Sequence, residues 1–401
     1  MVDVFVGVAG IFSSWLADIE SLISDIKLIE TEIFTFALGA LFSYLVQLGR
    51  RTVKRLRLSM LNARLKRFNN KNLGITLLEF GPTIHVGIDS IRDITSKFVL
   101  PMPSEVADEL EVASDFSGKL TRTGTYFGSS DCATLDRILK IDNVYDRLQP
   151  HILKVGNQFK ERKFGISFNS VLYGVRRFRR TRYGPQEEPR LNIDCYETDY
   201  FTFKVIDSFH RELSQSHPQI TLGSYGKDGD IEERLYPFLA SIGLNFVIIS
   251  ADSKLILSRR SQNLDRFGYK GTPIYPSFNE ALAVPDLPEV RGMVTPSIPN
   301  CFLRGLNEEL GLTDREVEQP VYRLIGFGSV GIGFGVYGYA RSRLTSAEIT
   351  DRFAGQDRGL ESKEFFAVPL KKSKLLKIVN DKNCSPQVVV LLNALMVDFE
   401  L

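Results

Sequence analysis

The run Arg304-Gly305-Leu306-Asn307-Glu308-Glu309-Leu310-Gly311-Leu312 holds the residue types of this chain best suited to chemistry. Positions three and four apart share a helix face. Residues 305, 308 and 309 are therefore expected to project together, with Leu303, Leu306 and Leu310 packed underneath and Gly311 as a left-handed stop. Glu308 and Glu309 on such a face suit a hard dication, which is held by carboxylate oxygens together with a substrate's phosphates. The third position of the face is Gly305. It offers no carboxylate and costs roughly 1 kcal/mol relative to alanine inside a helix. Taken alone, the same letters also describe an ordinary surface helix closed by a glycine.

The neighbouring segments must position that helix. Residues 245–250 read as an apolar strand, Asp252-Ser253-Lys254 as a turn, and 255–258 as a second strand closing on Arg259 and Arg260. A proline-rich connection carrying Ser277-Phe278-Asn279-Glu280 precedes the helix, and alternating strands follow over 321–341. Glycines at 326, 328, 331, 333, 335 and 338 fit a flat packed strand or bulge; a phosphate loop is the other reading, but no lysine follows in Walker fashion. A Ser/Thr-capped helix over 346–353 and a strand over 361–370 complete the pattern. Arg304 can brace the helix through Glu308, four residues on. Arg259 and Arg260 could reach a ligand phosphate or make surface ion pairs, and Tyr337 and Tyr339 could stack on a base or pack in the sheet.

In this order of elements, the 304–312 run resembles a worn copy of the magnesium-holding helix of Nudix hydrolases. The Nudix pattern asks for acid at 305, 308 and 309. It also asks upstream for glycine, five residues, then glutamate, where this chain has Val290 and Pro296. The resemblance implies a cleft that keeps its affinity for phosphates and a base while losing hydrolytic power.

The N-terminal part has a different character. Residues 33–49 carry no charge, and only Thr35, Ser43 and Gln47 are strongly polar. The length is near the lower limit of about 17 residues for a bilayer crossing, and no polar stripe breaks it, so a transmembrane helix is expected. Nine basic residues and no acid lie over 50–71, while acids dominate before the span; by the positive-inside rule the C-terminal part is expected in the cytoplasm. Residues 4–17 are apolar but short, so one or two spans are expected. Residues 18–32 have the helical spacing of a self-associating segment.

Between these ends, 165–182 alternates like a strand and ends in Arg176, Arg177, Arg179, Arg180 and Arg182. Such density can hold phosphates or form a solvated hairpin rim. Residues 191–196 read as a strand, 223–230 as a flexible loop, and 199–213 as a helix facing a core with Phe201, Val205, Phe209 and Leu213. With 401 residues and 43% apolar content there is room for two or more domains, and the net charge of +2 hides the juxtamembrane excess. Cys132, Cys195, Cys301 and Cys384 show no paired spacing, which favours free thiols. His85, His151, His210 and His217 form no ligand-spaced cluster, which argues against zinc.

The expected fold class is α+β, with an N-terminal transmembrane helix or helices, a mixed α/β middle region and a C-terminal Nudix-like α/β/α sandwich. The boundaries read as 1–71 membrane and basic segment, 72–238 middle region, 239–373 Nudix-like domain, and 374–401 a helix packing on it. With Thr198-Asp199-Tyr200-Phe201 in the middle and Ser277 to Glu280 before the box, this layout resembles the membrane-anchored Nudix-like effectors of bacterial cyclic-oligonucleotide antiphage signalling, the SMODS-associated NUDIX domain family. The resemblance implies an inner-membrane protein that binds a cyclic nucleotide messenger, assembles as a homo-oligomer and disrupts the membrane, with no nucleic-acid polymer as partner. Arg259, Arg260, Arg304, Glu280, Tyr337 and Tyr339 are its candidate ligand-binding residues, and no catalytic residue is assigned. The rival is a membrane-tethered hydrolase of nucleoside diphosphate derivatives. Its magnesium would sit on Glu308 and Glu309, with Glu280 or Glu361 replacing the lost acid.

Overall fold

A computed structural model describes residues 41–46, 75–78, 91–92, 100, 136, 141–161, 169–183, 188–216, 240–260, 272–283, 289–290, 293–294, 297–328, 334–352 and 362–401. The chain divides into two units, Met1–Arg57 and Leu58–Leu401. In the first, residues 41–46 are helical, with Leu41, Phe42 and Tyr44 exposed.

The expected transmembrane helix is corrected here: among the described residues, no helix is long and apolar enough to cross a membrane. The rest of 33–49, the segments 4–17 and 18–32, the basic stretch 50–71, the loop 223–230 and Glu361 lie outside the described residues.

The second unit runs β1 (Ile75–Leu78), β2 (Ile91–Arg92), α1 (Val144–Lys160), β3 (Val171–Tyr183), β4 (Glu188–Asp199), α2 (Tyr200–Ser216), β5 (Ile242–Ile249), β6 (Lys254–Arg260), β7 (Ile274–Tyr275) and β8 (Phe278–Ala281). It continues with β9 (Glu289–Val290), β10 (Met293–Val294), α3 (Ile298–Leu310), β11 (Val321–Gly328), β12 (Phe334–Arg341), α4 (Ser346–Asp351), β13 (Ser362–Pro369), α5 (Lys372–Val379) and α6 (Pro386–Asp398). The architecture is mixed α/β.

The main sheet has the order β1-β11-β12-β5-β6-β13, with β7 added to β6 and β8 to β5; β12 and β5 run parallel. The turn at 252–254 joins β5 to β6 as read from sequence, with Ser253 in the left-handed region at φ 56°. Their ladder is only two pairs long, Ile248 with Ile256 and Ile249 with Leu255. Beyond it the strands part, and β7 and β8 fill the fork. Ser277 stands at the branch point. Its hydroxyl accepts from the Ile248 amide at 2.8 Å and donates to the Ile256 carbonyl at 2.5 Å, so backbone groups opened by the fork keep partners.

Alternation along β5 and β6 sends Leu244, Phe246, Ile248 and Ile256 into one core, shared with α3, and Val247, Ile249, Leu255 and Leu257 into another, shared with α5 and α6. The sheet is thus covered by helices on both faces. Every residue of α6 from Val388 to Val397 is buried. A helix apolar all round belongs either in a large core or in a membrane. In α6 that pattern marks a core helix, which shows why the lack of a polar stripe over 33–49 was an insufficient sign of a span.

The middle region holds a three-stranded sheet, β2-β4-β3, beside α1 and α2. The Asp199 carboxylate accepts from the Thr202 amide at 2.7 Å and starts α2. Phe201, Val205, Phe209 and Leu213 are fully buried, as their spacing indicates.

Candidate functional site

Helix α3 begins at Ser297, whose hydroxyl accepts from the Asn300 amide at 3.2 Å, and ends at Gly311, with φ 63°. Its buried stripe is Ile298, Cys301, Phe302, Gly305, Leu306, Glu309 and Leu310. This corrects the expected facing: Gly305 and Glu309 lie inward, while Leu303 is exposed. The cause is the close crossing of α3 over β8. A Cβ on residue 305 would stand 2.4 Å from Glu280 Cγ and 2.8 Å from a Phe278 ring carbon. The helix approaches this closely only because residue 305 has no side chain. The missing carboxylate and the tight crossing are therefore one feature, with Glu280 filling the room that a side chain at 305 would need.

Arg304 ties the crossing together. Its Nη1 donates to Glu280 Oε2 at 2.7 Å and to Glu308 Oε2 at 3.0 Å, and its Nη2 donates to the Ala281 carbonyl at 2.7 Å. The expected bracing of Glu308 is present, and β8 is drawn into the same network. Glu309 is 5% exposed, and one of its oxygens lies 3.8 Å from Arg260 Nη2. The Arg260 guanidinium also lies over the Tyr275 ring at 4.9 Å. Three carboxylates therefore face two guanidiniums, whose combined charge equals that of one dication.

The structure separates the remaining candidates from this cluster. Arg259 points to the opposite face, where it pairs with Glu364 at 2.8 Å and lies over Phe366 at 4.8 Å. Tyr337 is in the core beneath α6, its ring against Gly335, where an added Cβ would be 2.7 Å away. Burial pushes its phenol above the ordinary range. Tyr339 packs against that core and the Phe399 ring at 5.7 Å. Both tyrosines take the packing alternative. At Gly338 a Cβ would be 2.3 Å from the Val321 carbonyl oxygen, so the described glycines of β12 serve close packing. Glu280, Arg260, Arg304, Glu308 and Glu309 remain as one cluster.

As arranged, this cluster does not fit magnesium. Glu280 and Glu308 converge on a guanidinium nitrogen, Glu309 faces a second arginine, and position 305 has no acid. Among the described residues, no group of three or more His, Cys, Asp or Glu is arranged to hold a metal ion. Sequence reasoning missed Tyr275, although its place two residues before Ser277 puts it opposite Ser258 in the β6–β7 ladder. It also missed Tyr322, whose hydroxyl is buried with no hydrogen-bond partner among the described residues and whose ring meets Phe246 at 5.5 Å.

No protein-family model matches the chain, and no curated protein matches it. Among solved structures it is similar to a Deinococcus radiodurans protein, at 15% identity over 37% of this chain and 80% of that one, with a TM-score of 0.26. A NUDIX-family hydrolase from Clostridium perfringens is similar at 14% identity over 40% and 97%, TM-score 0.25. A MutT/nudix family protein from Enterococcus faecalis is similar at 17% identity over 39% and 62%, TM-score 0.20. Structural neighbours of this chain are thus Nudix-family proteins. At such TM-scores the likeness carries no functional weight, and the chemistry rests on the cluster itself.

Proposed function

We propose that the C-terminal sandwich is a Nudix-like module that binds a cyclic nucleotide messenger without hydrolysing it and acts as the sensor of an antiphage response. The observation that carries this reading is the neutralised acid cluster: Arg304 bridges Glu280 and Glu308 where a hydrolase would need acids open to a dication. A sensor must hold its messenger, and loss of the metal chemistry serves that end. The two arginines have separable roles. Arg304 makes three bonds of 2.7–3.0 Å and holds the scaffold. Arg260, 3.8 Å from Glu309 and over the Tyr275 ring, is the guanidinium that this reading assigns to a ligand phosphate. Membrane disruption as the output has lost the span on which it rested and forms no part of this reading.

Calorimetry of the full chain against a panel of cyclic di- and trinucleotides tests the proposal. At least one member should bind with a Kd of about 1–10 µM, near −8 kcal/mol. Arg260→Lys keeps the charge opposite Glu309 but loses the planar fork, and should weaken binding by about tenfold. Absence of binding at about 100 µM by any member overturns the proposal.

A further inference from the structure

Helices α1 and α2 of the middle region hold a second group of reactive side chains, apart from the cluster on α3. Ser208, Phe209 and Glu212 lie within little more than one turn of α2, where positions three and four apart share a face. His151 of α1 packs against that turn. Its Nδ1 lies 2.9 Å from Ser208 Oγ, its Nε2 lies 3.0 Å from Glu212 Oε2, and its ring meets the Phe209 ring edge-on at 5.6 Å. The imidazole is thus buried and fixed on three sides, while Ser208 is half-buried and Glu212 is exposed to solvent. Burial holds the His151 pKa below its ordinary value against the upward pull of Glu212, and Lys154 lowers it further, so the ring is neutral at pH 7. An ionised carboxylate only accepts. The ring hydrogen therefore sits on Nε2, and Nδ1 accepts from the Ser208 hydroxyl.

We propose that Ser208, His151 and Glu212 form a nucleophilic site that hydrolyses small carboxylic esters. A nucleophile within hydrogen-bond reach of a base, with the base oriented by a third group, is the arrangement that activates a serine. Here Nδ1 stands where Ser-His-Asp enzymes use Nε2, and either nitrogen of a neutral imidazole can take a proton. The Ser208 Oγ electron pair forms a bond to the ester carbonyl carbon as the hydroxyl proton passes to His151 Nδ1. The bond from that carbon to the alcohol oxygen then breaks, and the departing oxygen takes the proton from Nδ1. Water repeats the sequence on the acyl group and restores Ser208, so ester and water give acid and alcohol. Glu212 is a positioning residue, acting through His151 by holding its tautomer. Lys154, exposed three residues along α1, is felt at the His151 ring as a positive charge and is the cation at hand for the developing oxyanion. The seat lies between two packed helices and beside a buried ring, which limits it to short acyl groups. None of these residues belongs to the messenger site, and the proposal is independent of it.

The test is p-nitrophenolate release from p-nitrophenyl acetate by the full chain, followed by absorbance across a range of pH. Release should exceed that of Ser208→Ala, a small change on a helix that leaves thermal melting in place. His151→Phe keeps a ring against Phe209 but removes the base, and should slow release by about 100-fold or more. Glu212→Gln should slow it less. It should also move the acid limb of the pH profile to lower pH, because the carboxylate that pulls His151 upward is gone; loss of a packing contact alone would not move that limb. Release equal in the parent chain and in Ser208→Ala overturns the proposal. So does release unchanged in His151→Phe, which would leave the three residues as a tie between the helices.

Discussion

At Gly305 a single atom decides how helix and strand meet. An alanine there would gain helix propensity but place its Cβ 2.4 Å from Glu280 Cγ. The crowding should dominate, so Gly305→Ala is expected to lower stability by about 1–3 kcal/mol in urea unfolding. Glu280→Ala should relieve most of that loss, giving a coupling of about 0.5–3 kcal/mol in the double-mutant cycle. Additive effects would show that the two residues do not compete for the same space. The departure at 305 is legible in the sequence as a missing acid, but its steric meaning is not. Nothing in the letters indicates that a residue 25 positions upstream fills the space. The assignment of 305 and 309 to an outward face failed because the seam against β8 runs along 302, 305, 306 and 309 rather than under Leu303.

At the scale of elements, sequence reasoning works where periodicity and turn chemistry agree. Strands β5 and β6, the turn between them, and α2 with its buried phenylalanines all fall near their expected places. Ser277 is visible as a residue in a proline-rich connection, yet its role in closing the fork between β5 and β6 depends on partners 29 and 21 residues away. The docking of α6 is equally hidden. Arg323 of β11, 3% exposed in its side chain, donates from Nε to both oxygens of Asp398 at 2.8 Å and from Nη2 to Oδ1 at 2.7 Å. Asp398→Ala would leave a buried guanidinium without its counter-charge, an expected loss of about 3–5 kcal/mol. Replacing both partners, Arg323→Met with Asp398→Leu, should recover much of it in the same denaturation experiment. An equal loss in the double variant would show that packing, rather than the uncompensated charge, sets the cost.

For the whole molecule, burial makes stability sensitive to mild acid. Burial holds His210 of α2 down at about 4, with nearby Asp207 pulling upward and Arg211 downward. His151 is lowered in the same direction by burial, partly opposed by Glu212. The unfolded chain takes up the His210 proton as pH falls below about 6.5, while the folded chain resists it until near 4. Stability from this residue is therefore full above pH 6.5 and declines between 6.5 and 4, by on the order of 3 kcal/mol. Thermal melting of the full chain should fall over that window, and His210→Leu should flatten the fall; an unchanged profile would show that His210 is protonated within the fold. The layered arrangement of the sandwich is legible at this scale because alternation assigns each strand residue to a face. The membrane assignment was not, since an uninterrupted apolar run is shared by spans and by core helices such as α6.

The proposal that the Nudix-like module binds a cyclic nucleotide without turning it over is tested best by direct recovery of ligand. The full chain is incubated with magnesium and the tightest-binding cyclic nucleotide, or with a nucleoside diphosphate derivative, and the mixture is resolved by chromatography. Intact ligand, with the cyclic nucleotide retained by the protein, is the expected result. Magnesium-dependent cleavage that disappears in Glu309→Gln would contradict it.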